Sequence, residues 1–255
     1  MSRFSHLRSA ALALTLCALP AAAMAQSFND AQRGDIEAIV RNYLLTHPEI
    51  LVDVSNELTK RQTAAESEKA SKAVAKYEKS IFNSPHDVVV GNKSGDVTFV
   101  EFFDYNCGYC KAAMVNMLEL MKTDPKLRVV LKEFPVLGPG SVAAAQVAVA
   151  VRMQDPDGKK YLDFHQRLLG GRGQADKARA LAAAKDAGLD MTRIEKDMTS
   201  PEVVATLREN GQLADELGIN GTPSYVVGDQ VVVGAAGTEK LREAIGKARC
   251  GKATC

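Results

Sequence analysis

Two cysteines separated by two residues follow an apolar run of the sequence. Residues 97–103, Val-Thr-Phe-Val-Glu-Phe-Phe, predict a buried strand, and Cys107 and Cys110 then open a predicted helix. Free backbone N–H groups and the helix dipole stabilise negative charge at a helix N-terminus, so Cys107 is favoured as a thiolate. We therefore predict that Cys107 attacks a substrate disulfide and that Cys110 releases the resulting mixed disulfide.

A Cys-x-x-Cys pair also occurs as half of a zinc or copper site, so a metal site is the alternative interpretation. The strand before the pair, the helix after it and the distant Thr222-Pro223 sequence favour redox chemistry, and we predict no metal ligands. Methionines at 114, 117 and 121 recur at helical spacing behind the pair. Thioethers bind copper(I), but such a stripe more often packs in a core, and that is our interpretation of it.

The first residues have the composition of an export signal. Two arginines precede the apolar stretch 10–23, and Ala-Met-Ala follows as a small-x-small cleavage site. We predict a signal peptide over residues 1–25 and a periplasmic location for the remaining chain. Cys17 lies in the signal, and the even number of cysteines beyond it fits an oxidising compartment. The formal net charge of +1 gives no signature of nucleic-acid binding.

A helical segment is predicted ahead of the main domain, over residues 26–62. A second helix with an apolar face of its own follows Pro48, and residues 63–82 predict a solvated helical linker rich in Lys, Glu, Ala and Ser. An apolar face on a charged linker needs a partner, so we predict that the segment forms a homo-oligomer. Packing on the main domain, and docking to a membrane or another protein, are the alternatives. The apolar face of the first helix consists of Ile36, Ile39, Val40 and Tyr43.

The order of predicted elements over residues 83–255 indicates an α/β domain. A strand, a helix and a strand are followed by a long helical stretch at about 141–218, and then by a strand pair and a last helix. This order predicts a thioredoxin fold with an inserted helical domain.

Two motifs carry a resemblance to a known family. Residues 102–111, Phe-Phe-Asp-Tyr-Asn-Cys-Gly-Tyr-Cys-Lys, and residues 217–223, Leu-Gly-Ile-Asn-Gly-Thr-Pro, resemble motifs of the DsbA-like thiol:disulfide oxidoreductases. The N-terminal helices resemble those of the ScsC branch, named for suppression of copper sensitivity, whose relatives include trimers with a stalk. The resemblance covers essentially the whole chain after the signal. It favours a homotrimer, with a dimer as the alternative.

The resemblance also implies roles for residues outside the cysteine pair. A cis peptide bond before Pro223 would place the backbone of Thr222 beside the cysteines, where it can pair with an extended substrate chain. An ordinary turn proline is the alternative. Glu101 would be a buried acid below the cysteines that helps to move the proton of Cys110. Alternatively, Glu101 faces solvent at a sheet edge or pairs with Lys132.

The dipeptide between the cysteines, Gly108-Tyr109, indicates which redox reaction is favoured. It has no histidine, so it lacks the imidazolium with which the Pro-His dipeptide of strongly oxidising family members stabilises the thiolate. Gly-Tyr, together with Thr222 before Pro223, resembles the periplasmic isomerase DsbC. We predict that all four residues contact substrate and that the protein is a disulfide isomerase or reductase.

The predicted clients are exported proteins with wrong or missing disulfides, including those that form under copper stress. A membrane thiol reductase is predicted to keep the pair reduced, and no cofactor is predicted beyond the redox-active pair itself. Two alternatives stay open. One is a dithiol oxidase that introduces disulfides, and the other is a periplasmic copper-binding protein that uses Cys107 and Cys110 as ligands.

Cys250 and Cys255 bracket a short C-terminal tail, and we predict that they close a surface disulfide. A redox relay and a thiolate metal site are the alternatives. The histidines at 47, 86 and 165 are not placed near Cys107 by any motif, so we predict that they are structural or exposed.

Overall fold

The computed structural model describes residues 28–255. The predicted signal peptide over residues 1–25 lies outside the described residues. By its internal contacts the chain divides into two compact units, Met1–Leu58 and Thr59–Cys255.

The described part of the first unit is helical. Helix α1 (Asp30–Thr46) begins with a capping box, in which the Asn29 side chain accepts the N–H of Gln32 while the Gln32 side chain accepts the N–H of Asn29. Helix α2 (Glu49–Lys76) begins in this unit and ends in the second one. No residue of α1 is buried in the single chain, and Ile39 on its apolar face is 67% exposed. The predicted apolar face is therefore present and uncovered within this unit.

The second unit contains a five-stranded sheet with helices around it. In chain order its further elements are α3 (Glu78–Phe82), β1 (Val88–Gly91), β2 (Val97–Phe103), α4 (Gly108–Thr123), β3 (Leu127–Glu133), α5 (Pro139–Gln154), α6 (Lys159–Gly170), α7 (Lys177–Asp186), α8 (Met191–Asp197), α9 (Pro201–Glu216), β4 (Ser224–Val227), β5 (Gln230–Val233) and α10 (Thr238–Cys250).

The sheet has the strand order β1-β3-β2-β4-β5, with β2 at its centre. Strands β2 and β3 are parallel, because helix α4 connects them as a crossover, and the other neighbouring pairs are antiparallel. Helices α5 to α9 lie between β3 and β4 in the sequence. The predicted thioredoxin fold with an inserted helical stretch is thus confirmed.

The two faces of β2 contribute to different parts of the core. Phe99 and Phe103 belong to the cluster that contains Cys110 and the inner residues of α4, whereas Val100 and Phe102 belong to a cluster on the other face. Because side chains alternate along a strand, Glu101 shares the face of Phe99 and Phe103. The central strand therefore presents an acid toward the helix that begins at the cysteines.

The methionines behind the cysteines lie in or against this core. Met114 and Met117 are buried in the cluster of α4, and Met121 is packed against it. Core packing, as predicted for this stripe, is confirmed. The last helix, α10, continues to Cys250. It ends there because Gly251 adopts the left-handed conformation that glycine tolerates best.

Candidate functional site

Cys107 is the N-cap residue of α4, as its position between a strand and a helix predicts. Its backbone is extended, and its Sγ accepts the N–H of Cys110 at 3.2 Å. Its own N–H donates to the backbone oxygen of Asp104 at 3.1 Å, which closes the turn between β2 and α4. The sulfur therefore sits where a helix N-terminus stabilises negative charge.

Cys110 lies one helical turn further on and is fully buried. Both cysteines are free thiols in the structure. Burial, and next the contact with Cys107, raises the pKa of the Cys110 thiol. The second cysteine is consequently held as a thiol and needs a proton acceptor before it can attack.

The Thr222–Pro223 peptide bond is cis, as the resemblance implied, and the alternative of an ordinary turn proline is wrong. It precedes β4, which pairs with the central strand β2. The Cys107 thiol donates to the Thr222 carbonyl oxygen at 3.2 Å. The structure thus brings Thr222 and Pro223 to Cys107 from the far end of the chain.

Glu101 is buried on the same face as the cysteines, with 2% of its surface exposed. Burial raises the pKa of its carboxyl group to about 8, and its Oε2 has no hydrogen-bond partner within the protein. Both alternatives for Glu101 are wrong. It is not at a sheet edge, because β2 is the central strand, and it does not pair with Lys132, whose Nζ donates to Ser80 O and to the Asp87 carboxylate.

The reason lies in the strand register. Glu101 is opposite Leu131 on β3, and Lys132 is opposite Phe102. Neighbours along a strand point to opposite faces, so Lys132 projects away from the cysteines.

Sequence reasoning missed Asp104, which organises the turn that carries Cys107. Its Oδ1 accepts the N–H of Asn106 and the hydroxyl of Ser141, both at 2.7 Å. Its Oδ2 accepts the N–H groups of Val136 at 2.8 Å and Leu137 at 3.0 Å. The carboxylate is buried and accepts all four bonds, so it ties the turn to the β3–α5 loop and to α5.

Asn106 extends this network toward the inserted helices. Its side-chain amide donates to Ser141 Oγ and to Ala175 O, both at 2.9 Å, and its Oδ1 accepts the N–H of Ala175 at 2.7 Å. The spacing Asp-x-Asn before Cys107 is a signal for part of this arrangement, because an aspartate commonly accepts the N–H two residues later.

The dipeptide between the cysteines faces outward. Tyr109 is 72% exposed, and a Cβ added to Gly108 would meet nothing within 4 Å. Val136 and Leu137 are exposed apolar residues of the loop that Asp104 holds. The surface beside the cysteines therefore offers apolar side chains to an approaching chain.

His165 is buried beside the active-site segment, in contact with Phe103 at a ring-centroid distance of 4.7 Å. Its Nδ1 lies 3.3 Å from the hydroxyl of Tyr105. Burial lowers the pKa of this imidazole to about 3, so it is neutral at physiological pH. We predict that His165 is either structural or exposed, and the structure shows that it is a buried structural residue.

Cys250 and Cys255 form a disulfide at the end of α10, with a Cα–Cα distance of 6.2 Å. Both residues are exposed, so the predicted surface disulfide is confirmed. Among residues 28–255, no three His, Cys, Asp or Glu side chains are grouped so that they could hold a metal ion. Within the same range no helix is long and apolar enough to span a bilayer.

Comparison with known proteins agrees with this geometry. The family model of the DSBA-like thioredoxin domain matches residues 98–246, which is more than half of the chain. The chain belongs to the DSBA-like thioredoxin domain family. A second family model, the copper resistance protein ScsC N-terminal domain, matches residues 32–65. The chain thus combines a DSBA-like thioredoxin domain with a segment similar to the ScsC N-terminal domain.

Solved structures of this family cover most of the chain. A thioredoxin-like oxidoreductase from Silicibacter pomeroyi DSS-3 is 45% identical, with a TM-score of 0.64, over 67% of this chain and 96% of that one. A linker-deletion mutant of Proteus mirabilis ScsC is 28% identical, with a TM-score of 0.65, over 88% of this chain and 98% of that one.

Some of the similar proteins are much longer than this chain. The Na(+)/H(+) antiporter NhaA 1 of Salinispora arenicola is 28% identical over 167 residues, which are 65% of this chain and 25% of the antiporter. The chain thus spans about a quarter of the length of the first curated relatives that it matches.

Proposed function

We propose that the chain is a periplasmic thiol:disulfide oxidoreductase that acts chiefly as an isomerase or reductase on exported proteins with wrong disulfides. The observation that carries the proposal is the placement of Cys107. Its sulfur accepts an N–H at the start of α4 and lies against the Thr222 carbonyl, with Cys110 buried behind it.

The reaction begins when the Cys107 thiolate attacks one sulfur of a client disulfide. A bond forms between Cys107 and that sulfur, and the other client sulfur leaves as a thiolate. In isomerisation another client thiolate attacks the client sulfur of the mixed disulfide. A new disulfide forms within the client, the bond to Cys107 breaks, and Cys107 leaves as a thiolate. In reduction Cys110 attacks the Cys107 sulfur, the client leaves as a thiolate, and the oxidised pair is reduced again by a membrane thiol reductase.

Reduction requires that Cys110 lose its proton at the moment of attack. Glu101 is the proton acceptor in this proposal, because it is buried on the same face and its raised pKa of about 8 suits proton transfer near neutral pH.

Client binding would use the backbone of Thr222 and Pro223 together with Gly108 and Tyr109. When Cys107 is ionised it no longer donates to Thr222 O, so that carbonyl oxygen is free to accept an N–H from an extended client chain. The exposed ring of Tyr109 supplies apolar contact beside it.

The preference for isomerase over oxidase activity rests on the charges near Cys107. Gly108 and Tyr109 add no cation, and the buried His165 is neutral. A less stabilised thiolate makes the disulfide form of the pair less oxidising, which favours a pair that remains reduced. The proposal includes no bound cofactor and no structural metal.

The proposal includes assembly of the chain into a homotrimer, or a dimer, through the apolar face of α1. Support comes from the exposure of that face and from the match of residues 32–65 to the ScsC N-terminal domain. Such an assembly would collect several cysteine pairs on one particle, which suits repeated attack on a misfolded client.

The deciding experiment compares two activities of the mature protein, namely refolding of a ribonuclease with scrambled disulfides and oxidation of the same ribonuclease in its reduced form. We expect the first to exceed the second, and Cys107→Ser to abolish both. Faster oxidation than refolding would replace the proposal with the dithiol oxidase. Stoichiometric copper on Cys107 and Cys110, with no thiol exchange in the copper-free protein, would replace it with the copper-binding protein.

A further inference from the structure

Glu101 and Tyr225 face one another across the two central strands of the sheet. They are directly opposite in the antiparallel pairing of β2 with β4, so their side chains lie on the same face. That face is the one covered by α4, and both residues belong to or adjoin the cluster that includes Cys110. Their exposed fractions are 2% for Glu101 and 1% for Tyr225.

Each of these two side chains has a polar atom without a protein partner. They are Oε2 of Glu101 and the hydroxyl of Tyr225, and both atoms are buried. Buried polar atoms in folded proteins are almost always hydrogen-bonded, either to protein or to an ordered water. Two unpartnered atoms on facing residues are the arrangement that a single bridging water satisfies.

The hydroxyl of Tyr225 is a donor in this setting. Burial, and then negative charge at Glu101, Cys110 and Cys107, raises the pKa of the Tyr225 hydroxyl, which keeps its proton. The acid Glu133 shares this face of β3, but its carboxylate already accepts the Tyr161 hydroxyl. The third packed element, α10, presents apolar residues, which are Leu241, Ala244 and Ile245.

We propose that one buried water joins the Tyr225 hydroxyl to the Glu101 carboxyl group, and that Tyr225 is thereby a positioning residue for the transfer of the Cys110 proton. This inference rests on the proposed function, because it concerns the step in which Cys110 attacks the Cys107 sulfur.

The Cys110 proton moves to the Glu101 carboxylate, directly or through the water, and the Cys110 sulfur forms a bond to the Cys107 sulfur. The bond between Cys107 and the client sulfur breaks, and the client sulfur leaves with the electron pair as a thiolate. The pair is oxidised, the client sulfur is reduced, and the tyrosine keeps its own proton throughout.

The direction of the expected effect follows from the role of the donor. A hydrogen bond relayed from Tyr225 favours the ionised form of Glu101, which is the form that accepts the proton. Removing the hydroxyl leaves that carboxylate less stabilised, so the pKa of Glu101 should be higher in the variant than in the intact protein. Less Glu101 is then ionised at neutral pH, and the attack by Cys110 slows.

The test uses the reduced mature protein and an aromatic disulfide whose thiolate is coloured. Attack by Cys107 releases one coloured thiolate, and attack by Cys110 on the mixed disulfide releases the second, so rapid mixing resolves the two steps. For Tyr225→Phe we expect an unchanged first phase. In the second phase the midpoint of the rate against pH should rise by about one unit, with an approximately tenfold slower rate at neutral pH.

Two further variants separate the proposal from a general loss of packing. Tyr161→Phe removes another buried tyrosine hydroxyl, whose partners are Glu133 and Tyr105, and should leave both phases at their wild-type midpoints. A ring-fluorinated tyrosine at position 225 keeps the hydroxyl and makes it a stronger donor. It should move the pH midpoint of the second-phase rate to lower pH, in the direction opposite to Tyr225→Phe. If the phenylalanine variant does not fold, this variant alone tests the role of Tyr225.

An unchanged midpoint in both position-225 variants overturns the role of Tyr225 and leaves the proposed function intact. A shift in the Tyr161→Phe control equal to that of Tyr225→Phe also overturns it. Failure of the proposed function has different signatures. Faster oxidation than refolding in the ribonuclease assays would mark an oxidase, and a reduced wild-type protein that releases no coloured thiolate in the first phase would have no thiol:disulfide exchange.

Discussion

The Cys107 thiol donates a hydrogen bond to the carbonyl oxygen of Thr222 across 3.2 Å, although 115 positions separate the two residues in the chain. The contact joins the start of α4 to the loop ahead of β4, and so places the Cys107 sulfur beside the backbone to which the proposal assigns client binding. In the proposed mechanism a Cys107 thiolate no longer donates to that carbonyl oxygen, which can then accept an N–H from a client.

Serine substitutions at the two cysteines should block different steps of the reaction. Cys107→Ser removes the attacking sulfur, so no mixed disulfide with a client should form. Cys110→Ser leaves attack intact but removes release, so the mixed disulfide should accumulate and be visible as a client-sized mass increase on a non-reducing gel. The Cys250–Cys255 disulfide lies apart from the free pair, and replacing both of its cysteines by serine is the control, with exchange retained. Equal trapping by both active-site variants would contradict the assignment of roles.

Glu101→Gln should make stability less dependent on pH. Burial raises the pKa of the folded-state Glu101 to about 8, above the value near 4.5 of an exposed glutamate. The folded protein therefore binds more protons than the unfolded chain between these values, and the contribution of Glu101 to stability is full below about pH 4.5 and is lost as pH rises toward 8. Glutamine does not titrate, so the free energy of unfolding of the variant should increase relative to that of wild type as pH rises.

The size of this gain should reach on the order of 4 kcal/mol in the free energy of unfolding above pH 8. Urea denaturation at a series of pH values measures it. Glu195→Gln, at an exposed position on α8, is the matched control and should show a difference that does not change with pH. A constant difference for Glu101→Gln would mean that the carboxyl group has the same pKa in the folded protein as in the unfolded chain. The same variant should slow release by Cys110.

Asp104→Asn should loosen the turn that carries Cys107. The carboxylate accepts four hydrogen bonds, and an amide would turn a donor toward groups that are themselves donors. We expect the free energy of unfolding to fall by about 2–3 kcal/mol, and the attack rate of Cys107 on a small disulfide to fall with it.

The control for this prediction is Asp176→Asn, at the N-cap of α7, where the side chain accepts the N–H of Arg179 at 2.9 Å. Asparagine caps a helix about as well as aspartate, so stability should change by less than about 0.5 kcal/mol. If Asp104→Asn behaves like Asp176→Asn, the buried network does not hold the turn.

Ile39→Glu should disrupt self-association of the full mature chain. Ile39 lies on the apolar face of α1 and is 67% exposed in the single chain, so the substitution leaves the chain's own core intact but introduces a charge into the proposed contact. Light scattering after size exclusion should give a mass near that of one chain for the variant and a multiple of it for wild type. Ala38→Glu adds the same charge on another side of the helix and should keep the wild-type mass. A wild-type protein of single-chain mass would rule out the oligomer.

Much of the fold could be predicted because its signals are local. The alternation in β2, the break before α4 and the helix-forming stretches between β3 and β4 each depend on neighbours a few positions away. The order of these elements then selects the topology, since a helix between two strands imposes a parallel pairing. The cysteine spacing and the short Cys250–Cys255 loop are equally local.

The candidate site was only partly predictable. Alternation indicates that Phe99, Glu101 and Phe103 share a face, but not which face lies under the cysteines. Sheet order and register decide that, and they place Glu101 opposite Tyr225 while turning Lys132 to the other side. Three of the four partners of Asp104 lie in the β3–α5 loop and in α5, so they depend on how that loop packs. Only the contact with Asn106 is local, and the Asp-x-Asn spacing is its signal in the sequence.

The sequence by itself determined which elements form and which atoms can do redox chemistry, because both follow from residue types and close spacing. The tertiary structure alone decided which buried groups surround those atoms. Glu101, Tyr225 and Thr222 reach the cysteines through strand pairings between distant segments, and the energy of a buried charge or an unpartnered hydroxyl depends on that arrangement rather than on position along the chain.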